Sequence, residues 1–339
     1  MKRLASVATI ATMLLLAAGC NSSTGTSTGA KNSTQPQASQ GITELHVALI
    51  PSADEAPFYV AIQKGFFSSR GLKVTPEPLQ NGAAITAAVT SGSAQIGVQA
   101  LSPTVTAVSK GVPIKAFAGD EDAPRPATPT SPYGDVVILV RKNSSIKTAA
   151  DLNGKTVAVN ALRAGVELAV RGAVDNSGGN SATLKLLPLP FPNMGAALAS
   201  HRVDAMAALE PFVHAAIAKG DRVLLDAFPY AKNQNVNFLA SVWFTSAKYA
   251  SAQPDVLTKF RDALAEADAY VKQTPSEIAR IVPTYTSIST TQAKEIWTAH
   301  WSAIINPQAY AAEIDLMVKY KFIDKQLPLS QFATPAATK

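Results

Sequence analysis

The stretch ELHVALIPSADEAPFYVAIQKGFFSSRG, residues 44–71, decides the fold class of this chain. It begins with a short apolar run rich in β-forming residues, 44–50, which predicts a strand. A polar loop follows, and the segment 59–71 predicts a helix that ends at Gly71. A strand, a loop and a helix in this order are the first half of a parallel α/β unit.

The same order repeats to residue 119. Three further strands alternate with two helices: strands 72–79, 94–100 and 114–119, and helices 81–92 and 102–111. Ser102 is the expected N-cap of the second of these helices, with Pro103 at its first helical position. This alternation predicts a mostly parallel sheet that is covered by helices on both faces.

The pattern restarts at DVVILVRK, residues 135–142, a continuous apolar run that predicts a buried strand. Strands and helices alternate again from there, with strands predicted at 155–160, 184–190, 203–209, 222–228 and 237–246 and helices at 148–154, 165–178, 193–202 and 210–220. The last part of the chain is helical. Residues 254–271 carry apolar side chains at three- and four-residue steps, and 292–304 predict a helix with Trp297 and Trp301 together on a core-facing side.

Two α/β halves, the second inserted into the first, account for this order. The expected boundaries are 43–136 for the first part of lobe 1, 137–239 for lobe 2 and 240–339 for the second part of lobe 1. The strands near 136–141 and 238–244 are the expected crossings between the lobes. Because parallel α/β sheets bind ligands beyond the carboxyl ends of their strands, we expect a ligand in the cleft between the lobes.

The N-terminus predicts export and a lipid anchor. Lys2 and Arg3 precede an apolar run that is short for a membrane anchor, which needs about 20 residues, so 1–19 is the predicted signal peptide. Gly19-Cys20 resembles the bacterial lipobox, in which a peptidase cleaves before a cysteine that carries diacylglycerol, although Ala17 stands where Leu is usual. An ordinary signal with a chance cysteine is the alternative.

Residues 20–42 combine the candidate lipidated Cys20 with a polar segment that has no aromatic residue. Such a segment buries too little apolar surface to offset its ordering entropy, which predicts a flexible linker. The folded part is therefore expected to begin near Ile42.

The composition narrows the class of protein. Apolar residues make up 47% of the 339 residues and charged residues only 16%, which is typical of a globular chain with a large core. The net charge of +6 comes without any run of Lys or Arg longer than two residues, so it does not indicate nucleic-acid binding. Cys20 is the only cysteine, so no internal disulfide is expected.

Four segments, taken in order behind the lipobox, resemble the solute-binding proteins of ABC importers: 57–74, 81–103, 162–178 and 197–212. Within that group, the chain most resembles the proteins that bind nitrate, sulfonates, taurine or pyrimidine precursors of thiamine. The resemblance implies an α/β type II periplasmic-binding fold, with two lobes, two crossover strands and a ligand held by hinge closure. It also implies a membrane permease with its ATPase as partner, and an extracytoplasmic location. We expect a monomer without a cofactor.

The loop after the first strand carries the first candidate ligand contacts. Ser52, Asp54 and Phe58 follow a carboxyl end of the sheet, so they are expected to face the cleft. The alternative is a solvated loop with Phe58 in the core. The acidic segment 119–126 could rim the same cleft, although a charge run is usually a solvated face.

The start of the helix at 81–92 is the second candidate. Asn81, Gly82 and Ala83 lie where free backbone N–H groups and the helix dipole favour an anionic or electron-rich group. A plain helix start is the alternative. In the proteins that this chain resembles, the same region contacts the ligand.

Five further residues follow later strands. Gln99 and Ser102 come after the third strand, where Ser102 could cap its helix, bind the ligand or do both. Asn160 and Arg163 occupy the matching turn of the second half, and Arg163 is the best-placed cation for a carboxylate, sulfonate or phosphate. A surface arginine is the alternative. Glu210 belongs to the Glu-Pro pair that the resemblance places at the mouth of the cleft. The alternative is that its negative charge only stabilises the positive end of the helix dipole.

These groups do not agree on the charge of a ligand. Asp54, Glu55 and Glu210 suit an amine or an aminopyrimidine, whereas Arg163 and two helix starts suit an anion. A zwitterion such as an aminosulfonate would use both sets. We therefore expect a sulfonate-like or taurine-like anion or zwitterion, with a pyrimidine-type thiamine precursor as the alternative.

Catalysis is the rival class of function, since some proteins of this fold are enzymes. Four scattered histidines, His46, His201, His214 and His300, have no metal-binding spacing, and no nucleophile, phosphate-loop or zinc-protease motif is present. The sequence therefore favours a binding protein without metal or catalytic residues. A ligand sensor that contacts a membrane receptor shares every feature and stays open.

Overall fold

The computed structural model describes residues 41–123, 136–227, 238–296 and 300–339. All of these residues fall within the unit Gly41–Lys339. The predicted signal peptide, the candidate lipidated Cys20 and Trp297 lie outside the described residues, and so does the linker up to residue 40.

The first sheet combines an early and a late part of the chain. Its strands are β1 (Thr43–Leu49), β2 (Leu72–Pro78), β3 (Ile96–Ala100), β4 (Ile114–Ala123) and β10 (Phe238–Ser246). They lie in the order β2-β1-β3-β10-β4. Strand β1 is parallel to β2 and β3, as helical crossovers require, whereas β10 is antiparallel to β3 and β4.

The second sheet repeats this arrangement. Its strands are β5 (Val137–Val140), β6 (Thr156–Val159), β7 (Lys185–Pro188), β8 (Ala205–Ala208) and β9 (Arg222–Asp226). They lie in the order β7-β6-β8-β5-β9, with β6 parallel to β7 and β8, and β5 antiparallel to β8 and β9. In both sheets, one antiparallel strand is inserted beside the third strand of a parallel set.

Among the described residues, the two strands expected to cross between the halves each pair within a single sheet. Strand β5 pairs only within the second sheet, and β10 pairs only within the first. The chain therefore passes between the sheets after Ala123 and returns after Asp226, and most of these two connections lies outside the described residues. Apolar runs mark strands that are buried on both faces, and they do not tell which sheet a strand joins.

Helices cover the two sheets and form the last part of the chain. The α-helices are α1 (Ala56–Lys64), α2 (Gly82–Ser91), α3 (Leu101–Ser109), α4 (Gly165–Asn176), α5 (Phe191–Ala199), α6 (Phe212–Ile217), α7 (Ala247–Ala252), α8 (Pro254–Gln273), α9 (Ser276–Ile281), α10 (Thr290–Ala293), α11 (Pro307–Lys319) and α12 (Leu329–Phe332). Short 3₁₀ turns lie at Ala53–Glu55, Ser68–Arg70, Ala149–Leu152, Ser181–Thr183, Val282–Thr284 and Pro335–Thr338.

Two helix boundaries differ from the sequence prediction. Helix α1 ends before Gly65, whose φ of +79° is a left-handed C-cap, and Gly71 closes only the following 3₁₀ turn. Helix α3 begins at Leu101, directly after β3, so Ala100 is its N-cap and the prediction that Ser102 caps the helix is wrong. Ser102 lies inside the first turn, fully buried.

The predicted helix at 292–304 is also wrong. Helix α10 begins at a capping box of Ser289 and Gln292 and ends already at Ala293. Trp301 instead forms a β-bridge with Glu121, and Ser302 N–H donates to the Asp120 carbonyl at 3.0 Å. The segment thus takes up backbone groups of edge strand β4 that would otherwise be unpaired.

The cores beneath the two sheets differ in composition. The first contains an aromatic cluster of Phe58, Phe67, Phe117, Trp243 and Phe260, all at most 2% exposed. The second is mainly Val, Ile, Leu and Ala. Among the described residues, no helix is both long and apolar enough to cross a membrane.

Candidate ligand-binding site

A cavity of about 450 Å³ opens where strands of both sheets end. Ile50 and Ser52 follow β1, and Gln99 lies near the end of β3. Asn160 follows β6 and Leu209 follows β8 on the opposite side. The carboxyl ends of parallel strands from two sheets thus converge on one concave space, and its volume lies in the range of small-molecule sites.

The predicted site residues separate into two sets. Those that line the cavity are Ser52, Asp54, Gly82, Ala83, Gln99, Asn160 and Arg163. Those that the structure places elsewhere are Phe58, Asn81, Ser102 and Glu210. Residues of the cavity that sequence reasoning did not single out include Thr86, Thr106, Lys110, Phe191, Ser241 and Glu313.

One side of the cavity, which we call the acidic wall, is formed by Ser52, Asp54, Glu55 and Glu121. Ser52 Oγ donates to Asp54 Oδ2 at 3.1 Å and to Glu55 Oε2 at 2.5 Å. Burial raises the pKa of Glu55 well above its usual range, and the charges of Asp120 and Asp54 raise it further. The surroundings of Glu55 therefore favour its neutral form more than water does.

Asp120 lies behind the acidic wall. Its carboxylate accepts from Ser241 Oγ at 2.5 Å and from Trp243 Nε1 at 2.9 Å. Burial nevertheless raises the pKa of Asp120 to about 7. The interpretation of 119–126 as a solvated face is wrong for Asp120 and Glu121, which are 7% and 2% exposed, whereas Glu121 lines the cavity, as the alternative placed it. Pairing of β4 with β10 and with Trp301 buries both residues.

Gln99 is held in one orientation by its neighbours. Its Nε2 donates to Thr86 Oγ1 and Thr104 Oγ1, both at 3.0 Å. Since Thr104 gives its own hydrogen to the Ala100 carbonyl, it must accept from Gln99, which determines which end of the amide is the nitrogen. Oε1 then has no partner among the described residues and lies against Gly82, where an added Cβ would stand 2.3 Å away.

Helix α2 points its first turn at the cavity. Asn81 does not line the cavity, since its Oδ1 accepts from Ala84 N–H at 3.0 Å and caps the helix. Gly82 and Ala83 line the cavity beside that cap. Two of the three residues predicted at this helix start therefore line the cavity, and one of the free N–H groups of the helix is already satisfied by the cap.

Arg163 adopts an unexpected position. Its φ is 58°, and its Nη2 donates to the carbonyl groups of Lys321 at 2.6 Å and Phe322 at 2.8 Å. The guanidinium also lies over the Phe322 ring, 5.6 Å from the centroid. Although Arg163 lines the cavity, the cation predicted for an anionic ligand is therefore engaged with the backbone that follows α11.

The start of α4 carries its own negative charge. Glu167 Oε2 accepts from Arg163 N–H at 2.6 Å, and Glu167 Oε1 accepts from Arg171 Nε at 2.7 Å. This buried carboxylate balances the positive end of the helix dipole. The anion that the sequence analysis expected at this helix start is thus supplied by the chain itself.

Three other predicted contacts do not reach the cavity. Phe58 is 1% exposed and packs within the aromatic core, because helix α1 turns it away from the cleft. The Glu210 carboxylate bonds to His214 Nδ1 one turn along the chain, and this contact raises the pKa of His214. Ser102 is buried beneath the surface, and its Oγ has no partner among the described residues.

Glu313 is the cavity residue that sequence reasoning missed most clearly. It lies on α11 with Ala309, Tyr310, Ile314 and Met317, a buried stripe at helical spacing. A glutamate within an apolar stripe was the available signal. Glu313 is 3% exposed, and burial alone raises its pKa well above the usual range.

The remaining cavity surface is largely apolar. Ile50, Val98, Leu162, Phe191 and Leu209 contribute to it. None of the described lining residues is a histidine, and within the described ranges no group of three or more His, Cys, Asp and Glu side chains could hold a metal ion. The arrangement can enclose an apolar body and present carboxyl and amide groups to its polar part.

A family model described as NMT1/THI5 like matches residues 52–278. Among solved structures, the alkanesulfonate-binding protein SsuA from Xanthomonas axonopodis pv. citri, bound to MOPS, shares 19% identity, with a TM-score of 0.71 over 86% of this chain and 97% of that one. The ligand-binding component of an ABC-type import system from Staphylococcus aureus, with zinc bound, shares 13% identity, with a TM-score of 0.74 over 87% and 97% of the two chains.

An enzyme also has this architecture. The desulfurization enzyme DSZB shares 16% identity, with a TM-score of 0.59 over 86% of this chain and 96% of that one. No curated protein sequence matches the chain. Together with the two mixed sheets, these neighbours confirm the predicted α/β periplasmic-binding fold class.

Proposed function

We propose that this chain, which belongs to the NMT1/THI5 like family, is the solute-binding component of an ABC importer and captures a small organic molecule by hinge closure. The observation that carries the proposal is the cavity itself: strands of two separate sheets end around it, and the described strands change from one sheet to the other twice along the chain. Both lobes would then contribute to one binding site.

The proposed mechanism is a shift between an open and a closed form. A solute that contacts the acidic wall first and then the residues after β6 favours closure by the difference between its affinities for the two forms. The closed form would dock on a membrane permease, whose ATPase drives import. The bonds from Arg163 to the carbonyls of Lys321 and Phe322 join the second half to the C-terminal part of the chain and support a defined closed form.

The lobe boundaries 43–136, 137–239 and 240–339 and the lipid anchor at Cys20 belong to the same proposal. An exported chain held by two acyl chains stays at the membrane where its permease lies, since one chain alone binds only marginally. Changing Cys20 to Ser should release the protein from the membrane fraction. Retention of that variant at the membrane would contradict the anchor.

A sulfonate-like or taurine-like anion or zwitterion, such as an aminosulfonate, is the first candidate ligand. The ammonium of an aminosulfonate suits Asp54 and Glu313, and its sulfonate suits the backbone N–H groups that begin α2. The alkanesulfonate-binding neighbour favours it at the level of fold. A pyrimidine-type thiamine precursor is an alternative ligand for the same cavity. A sensor, in which the closed form contacts a membrane receptor, is an alternative function.

Small-angle scattering of the purified chain tests the proposal. With a library of amines, amino acids, sulfonates, carboxylates and aminopyrimidines, at least one solute should raise the melting temperature and reduce the radius of gyration. A solute at 100 times its Kd should stabilise the chain by about 2.7 kcal/mol. An unchanged profile with every solute, or turnover of a solute detected by mass spectrometry, would contradict a binding protein that works by closure.

A further inference from the structure

Glu313 is a buried carboxyl that faces the cavity without a partner. It is 3% exposed, lines the cavity, and receives no hydrogen bond or ion pair from any described residue. Placing an ionisable group where water is excluded costs free energy unless another group compensates it. A ligand that donates a hydrogen bond to Glu313 would compensate this cost, which would explain why a glutamate lies buried at the cavity surface.

The two cations at the cavity do not compensate Glu313. Arg163 Nη2 is bonded to two backbone carbonyls, and Lys110 is an exposed residue at the end of α3. The acidic residues that line the cavity are Asp54, Glu55, Glu121 and Glu313. The cavity therefore carries more acidic than basic groups.

Gln99 adds an acceptor to this surface. Because Thr104 holds the amide nitrogen, Oε1 is the end that is left over, and it is buried with no donor among the described residues. Gln99 as a whole is 5% exposed. A ligand N–H would satisfy this oxygen, whereas a carboxylate or sulfonate oxygen would repel it.

The sites that would hold an anion are already occupied in part. Glu167 stands at the start of α4, where it accepts from Arg163 N–H, and Asn81 caps α2. An anion placed near either helix would find fewer free donors than a bare helix start offers.

We propose that the ligand is an organic cation with N–H donors, such as a protonated amine, guanidine or amidine on an apolar body, and that Glu313 and Gln99 Oε1 receive its charged end. This assignment rests on the proposed solute-binding function and names the class of solute. The apolar body would lie against Ile50, Val98, Phe191 and Leu209. A charge-assisted bond to a buried carboxylate is among the strong interactions available to a small ligand.

Matched probes test the sign of the charge. The purified chain is titrated by calorimetry with benzamidine and benzoate, with cyclohexylamine and cyclohexanecarboxylate, and with taurine as a zwitterion. We expect each cation to bind at least ten times more tightly than the anion with the same skeleton. Equal or tighter binding of the anions, or no binding by any probe, would overturn the proposal.

A pair of variants on one helix assigns the effect to Glu313. E313Q keeps the size of the side chain but removes its charge, so it should lose at least tenfold in benzamidine affinity and leave benzoate unchanged. D315N is the matched control, because Asp315 is exposed on α11 and its oxygen accepts from Gln326 in either form. If a folded E313Q binds benzamidine as tightly as the unchanged chain does, the role of Glu313 is overturned. If E313Q does not fold, the comparison of cationic and anionic probes on the unchanged chain still decides the sign of the ligand's charge.

Scattering separates this inference from the function on which it rests. An anion that binds and compacts the chain would overturn the cation assignment and leave the solute-binding function intact. If no probe binds and the solute library also produces no compaction, both fail.

Discussion

The two sheets have the same strand order but form opposite kinds of cavity wall. The first sheet contributes the acidic wall, whose four residues follow β1 or, for Glu121, lie on β4. All four are buried. The residues after β6 and β8 add Asn160, Leu162 and Leu209, and their one cation, Arg163, is bonded to backbone. The comparison teaches that topology determines where the site lies, whereas local side chains determine what it can bind.

The cores beneath the two walls differ as well. Phe58, Phe67, Trp243 and Phe260 pack under the acidic wall with ring centroids 4.7–6.3 Å apart. Aliphatic residues around Ile138 and Leu139 lie under the other wall. Interlocked aromatic rings suit a wall that must hold buried carboxyls in place, because each ring buries a large area in one geometry.

The largest expected effect concerns these cores. Phe260→Ala should lower the free energy of unfolding by about 3–5 kcal/mol, because a fully buried ring in contact with four other aromatic rings is removed. Ile138→Val in the other core should cost only about 0.5–1.5 kcal/mol. Urea unfolding followed by circular dichroism measures both. A Phe260→Ala cost no larger than that of Ile138→Val would break the comparison of the cores.

The second prediction uses pH. The pKa of Asp120 is about 7 in the folded chain, whereas its ordinary value is 3.8. Between pH 3.8 and pH 7, Asp120 is therefore protonated in the folded state and ionised in the unfolded state. The free energy of unfolding should therefore fall as pH rises through this window, by at most about 1.4 kcal/mol per unit for this group. Asp120→Asn should flatten the slope, since Asn stays neutral.

Asp151 supplies the control for pH from the second half. Hydrogen bonds from the backbone of Lys147 and Thr148 lower its pKa, so any stability that it contributes is lost as pH falls. Asp151→Asn should thus leave the slope between pH 4 and 7 unchanged. If Asp120→Asn has the same slope as the unchanged chain, Asp120 is not the buried acid that the structure indicates.

The third prediction compares two glycines that begin helices on the two walls. At Gly82, an alanine Cβ would stand 2.3 Å from Gln99 Oε1, so Gly82→Ala must displace an amide that is held by Thr86 and Thr104. Such overpacking costs about 1–3 kcal/mol of folding free energy. Because the displaced amide is a proposed ligand contact, a cost of the same size to binding would lower the affinity by roughly fivefold or more. At Gly165, the nearest atoms are Ala100 Cβ at 3.3 Å and Ser102 Oγ at 3.6 Å.

Gly165→Ala should accordingly change the affinity by less than about threefold, since small shifts of these neighbours accommodate one methyl group. Calorimetry with the tightest-binding solute from the library measures both variants, and near-ultraviolet circular dichroism checks that each is folded. A larger loss in Gly165→Ala than in Gly82→Ala would reverse the roles assigned to the two walls.

The smallest expected effect concerns Arg163. Because its guanidinium bonds to the carbonyls of Lys321 and Phe322 while remaining exposed, Arg163→Ala should lower the free energy of unfolding by about 1 kcal/mol. Its effect on binding should be the same for benzoate and benzamidine. Arg202→Ala, another exposed arginine of the second half, is the control. A loss confined to benzoate would show that Arg163 contacts the ligand after all.

Much of the fold could be predicted from the chain alone. Each described strand lies within or close to a predicted apolar run, and helices α2 and α4 lie within their predicted spans. Ser52, Gln99 and Asn160 were placed at strand ends by the rule for parallel sheets, and all three line the cavity. These inferences succeeded because strand and helix periodicity is local, and because parallel connections bring strand ends to one edge.

Only the tertiary structure decided which of these groups are available to a ligand. Arg163 bonds to carbonyls about 160 residues away in the chain, Trp301 joins the edge of β4, and Glu313 enters the cavity from a helix that reads as apolar. Each outcome depends on contacts between segments far apart in sequence. The sequence determines the two-sheet framework because its patterns are short-range, whereas the charge balance of the cavity follows from long-range packing that buries some charged groups and pairs others.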